Sequence, residues 1–248
     1  MSSKLTLKDC LIIHLERSLE RKSQVRKLKN YLEYQVKLVE AVDGSKHDND
    51  FSKSYTPRLF RPHYPFSLRP TEVACFQSHR KCWQEILDRG LEAALIIEDD
   101  VDIIDGEFTT AVKLAMKEIK MGDLIRLPMK PREKPRNRSV QRDNISVFEP
   151  TVVGLGTQAQ IVTYDAARRL LKKTEHFDRP IDVYLQLTWK HGVRILSIWP
   201  NGVRENSSRL GGSLIGKEKI NGNKLRREIL RPIYRAKLII YTLLNKKK

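Results

Sequence analysis

The run Ala93-Ala-Leu-Ile-Ile97, closed by Glu98-Asp99-Asp100, constrains this chain more than any other feature. Five apolar residues in a row leave no polar face, which suits a central parallel strand covered by helices on both sides. Three carboxylates directly after it are costly. Like charges within ~5 Å raise one another's pKa and oppose folding unless something cationic balances them. Ligands of open α/β sheets bind outside the carboxyl ends of the strands. Side-chain alternation aims Glu98 and Asp100 the same way. Such a pair suits a hard divalent cation, Mn²⁺ or Mg²⁺, which takes one or two carboxylates plus phosphate oxygens. The competing reading is a solvated acidic turn.

The rest of the chain alternates strand and helix signals around that run. Cys10–Leu15 is an apolar first strand, followed by a helical rhythm over Glu16–Glu33. Tyr34–Val42 reads as a second strand, stopped by the turn signal Asp43-Gly44. Residues 45–70 hold four prolines and read as a long irregular loop. A helix follows, with Thr71 as its N-cap, running to Asp88 before Gly90. Residues 107–120 read as helix, and Asp123–Leu127, Ile145–Phe148, Gln160–Thr163 and Arg194–Ile198 as strands. Tyr164–Lys173 and Asp182–Lys190 read as helices. The alternation indicates an α/β fold with a mostly parallel sheet. Residues 130–142, with six basic residues and two prolines, read as a flexible loop.

Charge is unevenly distributed. Residues 1–100 carry 17 basic and 15 acidic side chains, residues 101–200 carry 17 and 12, and residues 201–248 carry 13 and 3. More than half of the net +17 therefore lies in the last fifth of the chain, on a nearly balanced body. A basic tail points to an anionic partner: phospholipid headgroups, nucleic acid or an anionic substrate. Cys10, Cys75 and Cys82 are an odd count without CxxC spacing, which argues against a disulfide scaffold and suits a reducing cytosol. The first nine residues lack the apolar core of a signal peptide, and no apolar run approaches the ~20 residues of a membrane span.

Several segments together match a known pattern. They are Ile12-Ile-His-Leu-Glu-Arg-Ser-Leu-Glu-Arg21, Glu40-Ala-Val-Asp-Gly44, Glu72-Val-Ala-Cys-Phe-Gln-Ser-His79, Ala94-Leu-Ile-Ile-Glu-Asp-Asp-Val101, Pro180-Ile-Asp182, Ile195-Leu-Ser-Ile-Trp-Pro200 and Asn206-Ser-Ser208. In order and spacing the chain resembles glycosyltransferase family 25, the lipopolysaccharide and lipooligosaccharide galactosyltransferase type. Two departures are His14, where the family often has Asn, and Gly154–Thr163, which lacks the family's usual tyrosine. The resemblance implies a GT-A-like, Rossmann-type fold and inverting transfer from a nucleotide sugar, most often UDP-galactose.

Carried onto this chain, the resemblance makes Glu98 and Asp100 the metal ligands and Asp182 the general base, with Asp178 as the fallback. The donor would meet His14, Leu15, Arg17, Arg21, Asp43, Gly44, Ser78, His79, Glu98, Asp99, Asn206 and Ser208. Each has a plainer reading. Asp182 could cap a helix, Asp43 could serve its turn, and Arg17 and Arg21 could be solvated. His79 shares a helical face with Cys75, Cys82, Trp83 and Ile86, where a histidine is usually a satisfied core residue. Residues 1–214 read as the catalytic domain and 215–248 as a basic amphipathic tail. In 225–244, Leu225, Ile229, Ile233, Ala236, Ile240 and Leu243 share one helical sector, and Pro232 is expected to kink or split the helix. That segment reads as a membrane-surface helix, with packing on the body or on another subunit of a homodimer as the competing reading. The expectation is a cytoplasmic enzyme held peripherally at the inner face of the membrane. Its acceptor would be a lipid-linked oligosaccharide, and no nucleic-acid partner is expected.

Overall fold

The computed structural model describes residues 5–46, 50–136, 140–142, 144–207 and 224–245, with Lys224 and Leu225 by their backbone alone. The chain enters through β1 (Asp9–His14), α1 (Lys22–Tyr31), β2 (Gln35–Glu40) and α2 (Pro70–Asp88). It continues through β3 (Ala93–Glu98), β4 (Val101–Ile103), α3 (Glu107–Glu118), β5 (Asp123–Arg126), β6 (Val140–Arg142) and β7 (Ile145–Phe148). β8 (Ala159–Thr163), α4 (Tyr164–Lys173), α5 (Ile181–Leu185), α6 (Thr188–His191), β9 (Arg194–Trp199), β10 (Val203–Glu205) and α7 (Lys224–Asn245) complete it.

Eight strands form one sheet in the order β2-β1-β3-β8-β5-β9-β7-β6. Six of them run in one direction, and only β8 and β7 are reversed. The sheet is therefore mostly parallel, as its apolar strands predict, and helices cover both faces. Leu11, Ile13, Ala94, Ile96, Leu124 and Val162 pack on one side with α2 and α4, where Trp83 and Phe76 are wholly buried. Cys10, Ile12, Leu95, Ile97, Ile125 and Ile161 pack on the other with α1 and α3. Because β1, β2, β3, β5 and β9 point the same way, their carboxyl ends share one edge. That edge gathers His14, Glu98 and Arg126. β4 and β10 form a separate antiparallel ribbon beside it.

Four local expectations are corrected. The helix expected over Glu16–Glu33 begins only at Lys22, after a tight turn closed by Ser18 N–H to the Leu15 carbonyl at 2.8 Å. The turn delivers Arg17 and Arg21 to carboxylates at the sheet edge instead of to a helical surface. α2 starts one residue before Thr71, because Pro70, with fixed φ and no N–H, suits a first helical turn. Arg69 is then the cap residue, its N–H donating to Glu72 Oε2 at 2.9 Å. The single helix expected over Asp182–Lys190 is two short ones, α5 and α6. The basic loop is not loose where it is described. Glu133 turns inward to the buried Arg126, its side chain only 3% exposed, and Val140–Arg142 pair with β7.

The tail also packs. Tyr234, Leu238 and Thr242, one turn apart on α7, are buried against the body. α7 runs through Pro232 without a break.

Candidate active site

Nine of the expected donor-site residues, Leu15, Arg17, Arg21, Asp43, Gly44, Ser78, His79, Glu98 and Asp99, line a single cleft of about 210 Å³ at the carboxyl edge, together with the expected metal ligand Asp100. Their roles within it differ. Asp99 is committed inside the protein: Oδ2 lies 2.7 Å from His14 Nδ1, and Oδ1 accepts from Arg21 at 2.6 Å. His14 is itself buried beneath the cleft, so it positions Asp99 and does not line the wall. Arg21 reaches Asp100 Oδ2 at 3.5 Å with its other terminal nitrogen. A buried guanidinium is thus part of the positive charge that the acidic cluster requires.

Arg17 makes a two-pronged pair with Asp43, at 2.5 and 3.0 Å. That hydrogen bonding, with help from Ser45, holds the Asp43 carboxyl well below the usual carboxylate range. Gly44 is required by space. A Cβ there would sit 2.7 Å from Thr71 Cα, against the first turn of α2. Ser78 Oγ donates to the Ala74 carbonyl and accepts from Val42 N–H, tying α2 to the loop that carries Asp43. Ser78 and Gly44 therefore shape the cleft through the backbone.

His79 is buried, as its helical face predicts, yet it is wired to the acidic cluster. Its Nδ1 accepts from Gln160 Nε2 at 3.0 Å, which leaves Nε2 to donate to Glu98 Oε1 at 3.2 Å. Thr157 Oγ1 donates to the same oxygen at 2.9 Å. Burial pushes the Glu98 carboxyl up, but the bonds from His79 and Thr157 outweigh it, so Glu98 stays ionised. Asp100 has no such donors. Burial, the neighbouring Glu98 charge and Asp99 push its pKa up to about 7, against the pull of Arg21. Its Oδ1 is buried without a hydrogen-bond partner.

That orphaned oxygen is the point at which the site fits a divalent cation. Buried carboxylate oxygens are ordinarily satisfied, and here no protein donor reaches this one, on a residue that lines the cleft. Glu98 fits less freely, with Oε1 already committed. A second group, Cys75, His79 and Glu98, is compact enough for an ion, with ligand atoms within 4.8 Å of one another. It fits poorly, since both His79 nitrogens are engaged and burial holds the Cys75 thiol neutral.

A second cleft of about 810 Å³ adjoins the first and shares Cys75, Glu98 and Gln158 with it. Asp182 lines it, at the start of α5. Its Oδ2 accepts from Gly156 N–H at 3.0 Å and its Oδ1 from Val183 N–H at 2.8 Å. Burial raises its pKa against those two bonds. The Arg126 guanidinium donates to the carbonyls of Leu155 and Gly156 as well as to Glu133, so one buried ion pair sets the loop that presents Asp182. Asp178, the fallback base, is wholly committed: Arg179 and Phe60 N–H occupy its oxygens, and it is 1% exposed. Asn206 lies under the edge. Its N–H donates to the Asp100 carbonyl and its amide to Gln24, while Glu205 and Ser207 on either side line the cleft. Ser208 lies outside the described residues.

Thr157, Gln158 and Gln160 were missed from sequence. The signal was there: polar residues interrupt an otherwise apolar strand in Gly156-Thr-Gln-Ala-Gln-Ile-Val162.

Residues 8–185 match the family model for glycosyltransferase family 25, described as an LPS biosynthesis protein. The chain belongs to glycosyltransferase family 25. The matched span carries every cleft carboxylate from Asp43 to Asp182. Among curated relatives of the family, procollagen galactosyltransferase 2 of Mus musculus is 33% identical over 126 residues, covering 49% of this chain and 20% of that protein. Procollagen galactosyltransferase 1 of Danio rerio is 26% identical over 204 residues, covering 77% and 33%. A probable inactive glycosyltransferase 25 family member 3 of Bos taurus is 26% identical over 226 residues, covering 84% and 36%. The chain thus spans a fifth to about a third of the length of the relatives it matches.

Proposed function

We propose that this family 25 chain is an inverting glycosyltransferase that moves a hexose, galactose foremost, from a UDP-sugar to a lipopolysaccharide-type oligosaccharide. The observation that carries the reading is the partnerless Asp100 Oδ1, set beside Arg21 and Arg17 in a cleft at the carboxyl ends of β1–β3. A nucleotide diphosphate supplies the charge that such a site lacks. Mn²⁺ or Mg²⁺ held by Asp100 with Glu98 would neutralise the charge that builds on the departing diphosphate. Galactose is supported by the names of the relatives, and the lipopolysaccharide acceptor by the family description. UDP-glucose and UDP-N-acetylhexosamines are the alternatives that the same cleft would accept.

In this reading the first cleft takes the donor, with the Arg17 and Arg21 guanidiniums toward the phosphates. The acceptor enters the second cleft, where Asp182 meets its hydroxyl. The hydroxyl oxygen attacks the anomeric carbon from the face opposite the diphosphate. The new C–O bond forms as the bond to the phosphate oxygen breaks, UDP leaves, and the proton passes to Asp182. A carboxylate whose pKa is raised by burial is a stronger base than an exposed one.

UDP release from a panel of UDP-sugars, with and without a core oligosaccharide acceptor, tests the reading. Asp182→Asn is expected to lower kcat by roughly 10²- to 10⁴-fold while UDP binding holds. The second reading, a family member that binds but does not transfer, is favoured by the relatives named as inactive. It requires UDP to bind and no UDP-sugar to turn over.

A further inference from the structure

α7 has two opposed faces. Tyr234, Leu238 and Thr242 point into the body, and the Tyr234 hydroxyl accepts from Arg179 at 2.7 Å. Half a turn away, Ile229, Ile233, Ile240 and Leu243 form a stripe that is 45–54% exposed, and Leu244 extends it at 67%. This is the same sector that the sequence marks as apolar, and it is turned away from the protein. Large aliphatic side chains aligned in solvent along a packed helix need a covering partner.

The charges around the stripe select that partner. Arg226, Arg235 and Lys237 flank it in solvent, and Glu228 is the one acid in the sequence of α7. A second copy would set this positive charge against itself. No helix of the described residues is long and apolar enough to cross a membrane. A basic helix with one apolar face suits the plane of an anionic bilayer, with isoleucines at the acyl boundary and arginines among the headgroups. The opposite, body-facing side of α7 borders the second cleft: Tyr234, Leu238, Arg231 and Arg235 line it together with Asp182.

We propose that α7 is an interfacial helix that seats the protein on an anionic phospholipid surface through Ile229, Ile233, Ile240 and Leu243. Docked this way, α7 lies between the bilayer and the body, with the second cleft along its inner flank. The docking stands independently of the transfer reaction; only the identity of that cleft as the acceptor side rests on it.

Co-sedimentation of the full chain with vesicles is the test, using phosphatidylcholine alone and phosphatidylcholine mixed with phosphatidylglycerol. The wild type is expected to pellet with the anionic vesicles, less so as salt rises. Ile233→Glu/Ile240→Glu is expected to lose roughly tenfold or more in partitioning, since each isoleucine withdrawn from water is worth about that factor. Arg226→Glu/Lys237→Glu is expected to lose the preference for phosphatidylglycerol. Unchanged melting curves would show that the variants fold. The proposal is overturned if the folded wild type ignores anionic vesicles, or if both variants bind like wild type. It is equally overturned if the protein is a dimer that the isoleucine variant dissociates without any vesicle binding, or if duplex DNA captures it in preference to the vesicles.

Discussion

At the scale of the residue, the acidic cluster divides into carboxylates held by protein partners and one that keeps an unsatisfied oxygen. Asp99 is clamped by His14 and Arg21, and Glu98 by His79 and Thr157, while Asp100 keeps an unsatisfied oxygen. Sequence showed three charges in need of balance. It could not show which were already balanced, because the partners come from three separate segments: His14 and Arg21 from the first, His79 from α2 and Thr157 from the approach to β8. Asp100 makes a prediction with a definite sign. Its pKa is raised by folding to about 7, so the native state holds a proton that the unfolded chain releases, and stability falls as pH rises from about 4 to about 7. Without ligand, Asp100→Asn should therefore melt a few degrees above wild type at pH 8, and the gap should close toward pH 4. A thermal-melt series across that range checks it, and a variant less stable than wild type at pH 8 would contradict it. Gly44→Ala should destabilise by about 1–3 kcal/mol, since the new Cβ meets the backbone of Thr71 and not a side chain that can swing aside. Urea unfolding measures it.

Among the elements, the strands announced themselves and the connections did not. Leu11–Ile13 and Ala93–Ile97 are apolar runs, and Ile195–Ile198 is broken only by Ser197; all have both faces buried, so their strand character is written in composition. β4 and β10 are three residues each, too short for any period to show. The reversal of β8 rests on pairing with β3 and β5, which no local pattern records. Residues 130–142 were the clearest misreading. Six basic side chains suggested a loose loop, but the one acid among them, Glu133, is buried against Arg126 and fastens the segment to Leu155 and Gly156. Arg126→Gln should cost about 3–5 kcal/mol, because it strands a buried carboxylate. It should also release the loop under Asp182. In a transfer assay kcat should then fall further than the melting loss accounts for, and its pH profile should shift. Conversely, Arg136→Gln, on the solvent side of the same loop and 3.4 Å from Glu149, should change stability by under about 1 kcal/mol.

Over the whole molecule, the candidate site gathers where the topology gathers strand ends. The common direction of β1, β2, β3, β5 and β9 brings Asp43, Glu98, Asp100 and the Arg126-anchored loop to one edge, although some 140 residues separate Asp43 from Asp182. Order and spacing of the motifs make the family legible in the sequence, because each motif sits at or beside a strand end along that edge. The tail was legible only in part. Its apolar sector was correctly located, but a helical wheel cannot tell that Tyr234 and Leu238, on the opposite side, are the residues that pack. The central claim is that the carboxyl edge binds a nucleotide diphosphate through Asp100 and a divalent cation. Its most direct test is thermal stability with UDP, in the presence and absence of Mn²⁺, for wild type and Asp100→Asn. A ligand at about 100 times its Kd stabilises by roughly 2.7 kcal/mol, which a melting curve resolves. The account predicts that UDP with Mn²⁺ raises the wild-type Tm, that omitting Mn²⁺ abolishes most of the rise, and that Asp100→Asn shows none. Equal stabilisation of both proteins, or no stabilisation of either, would contradict it.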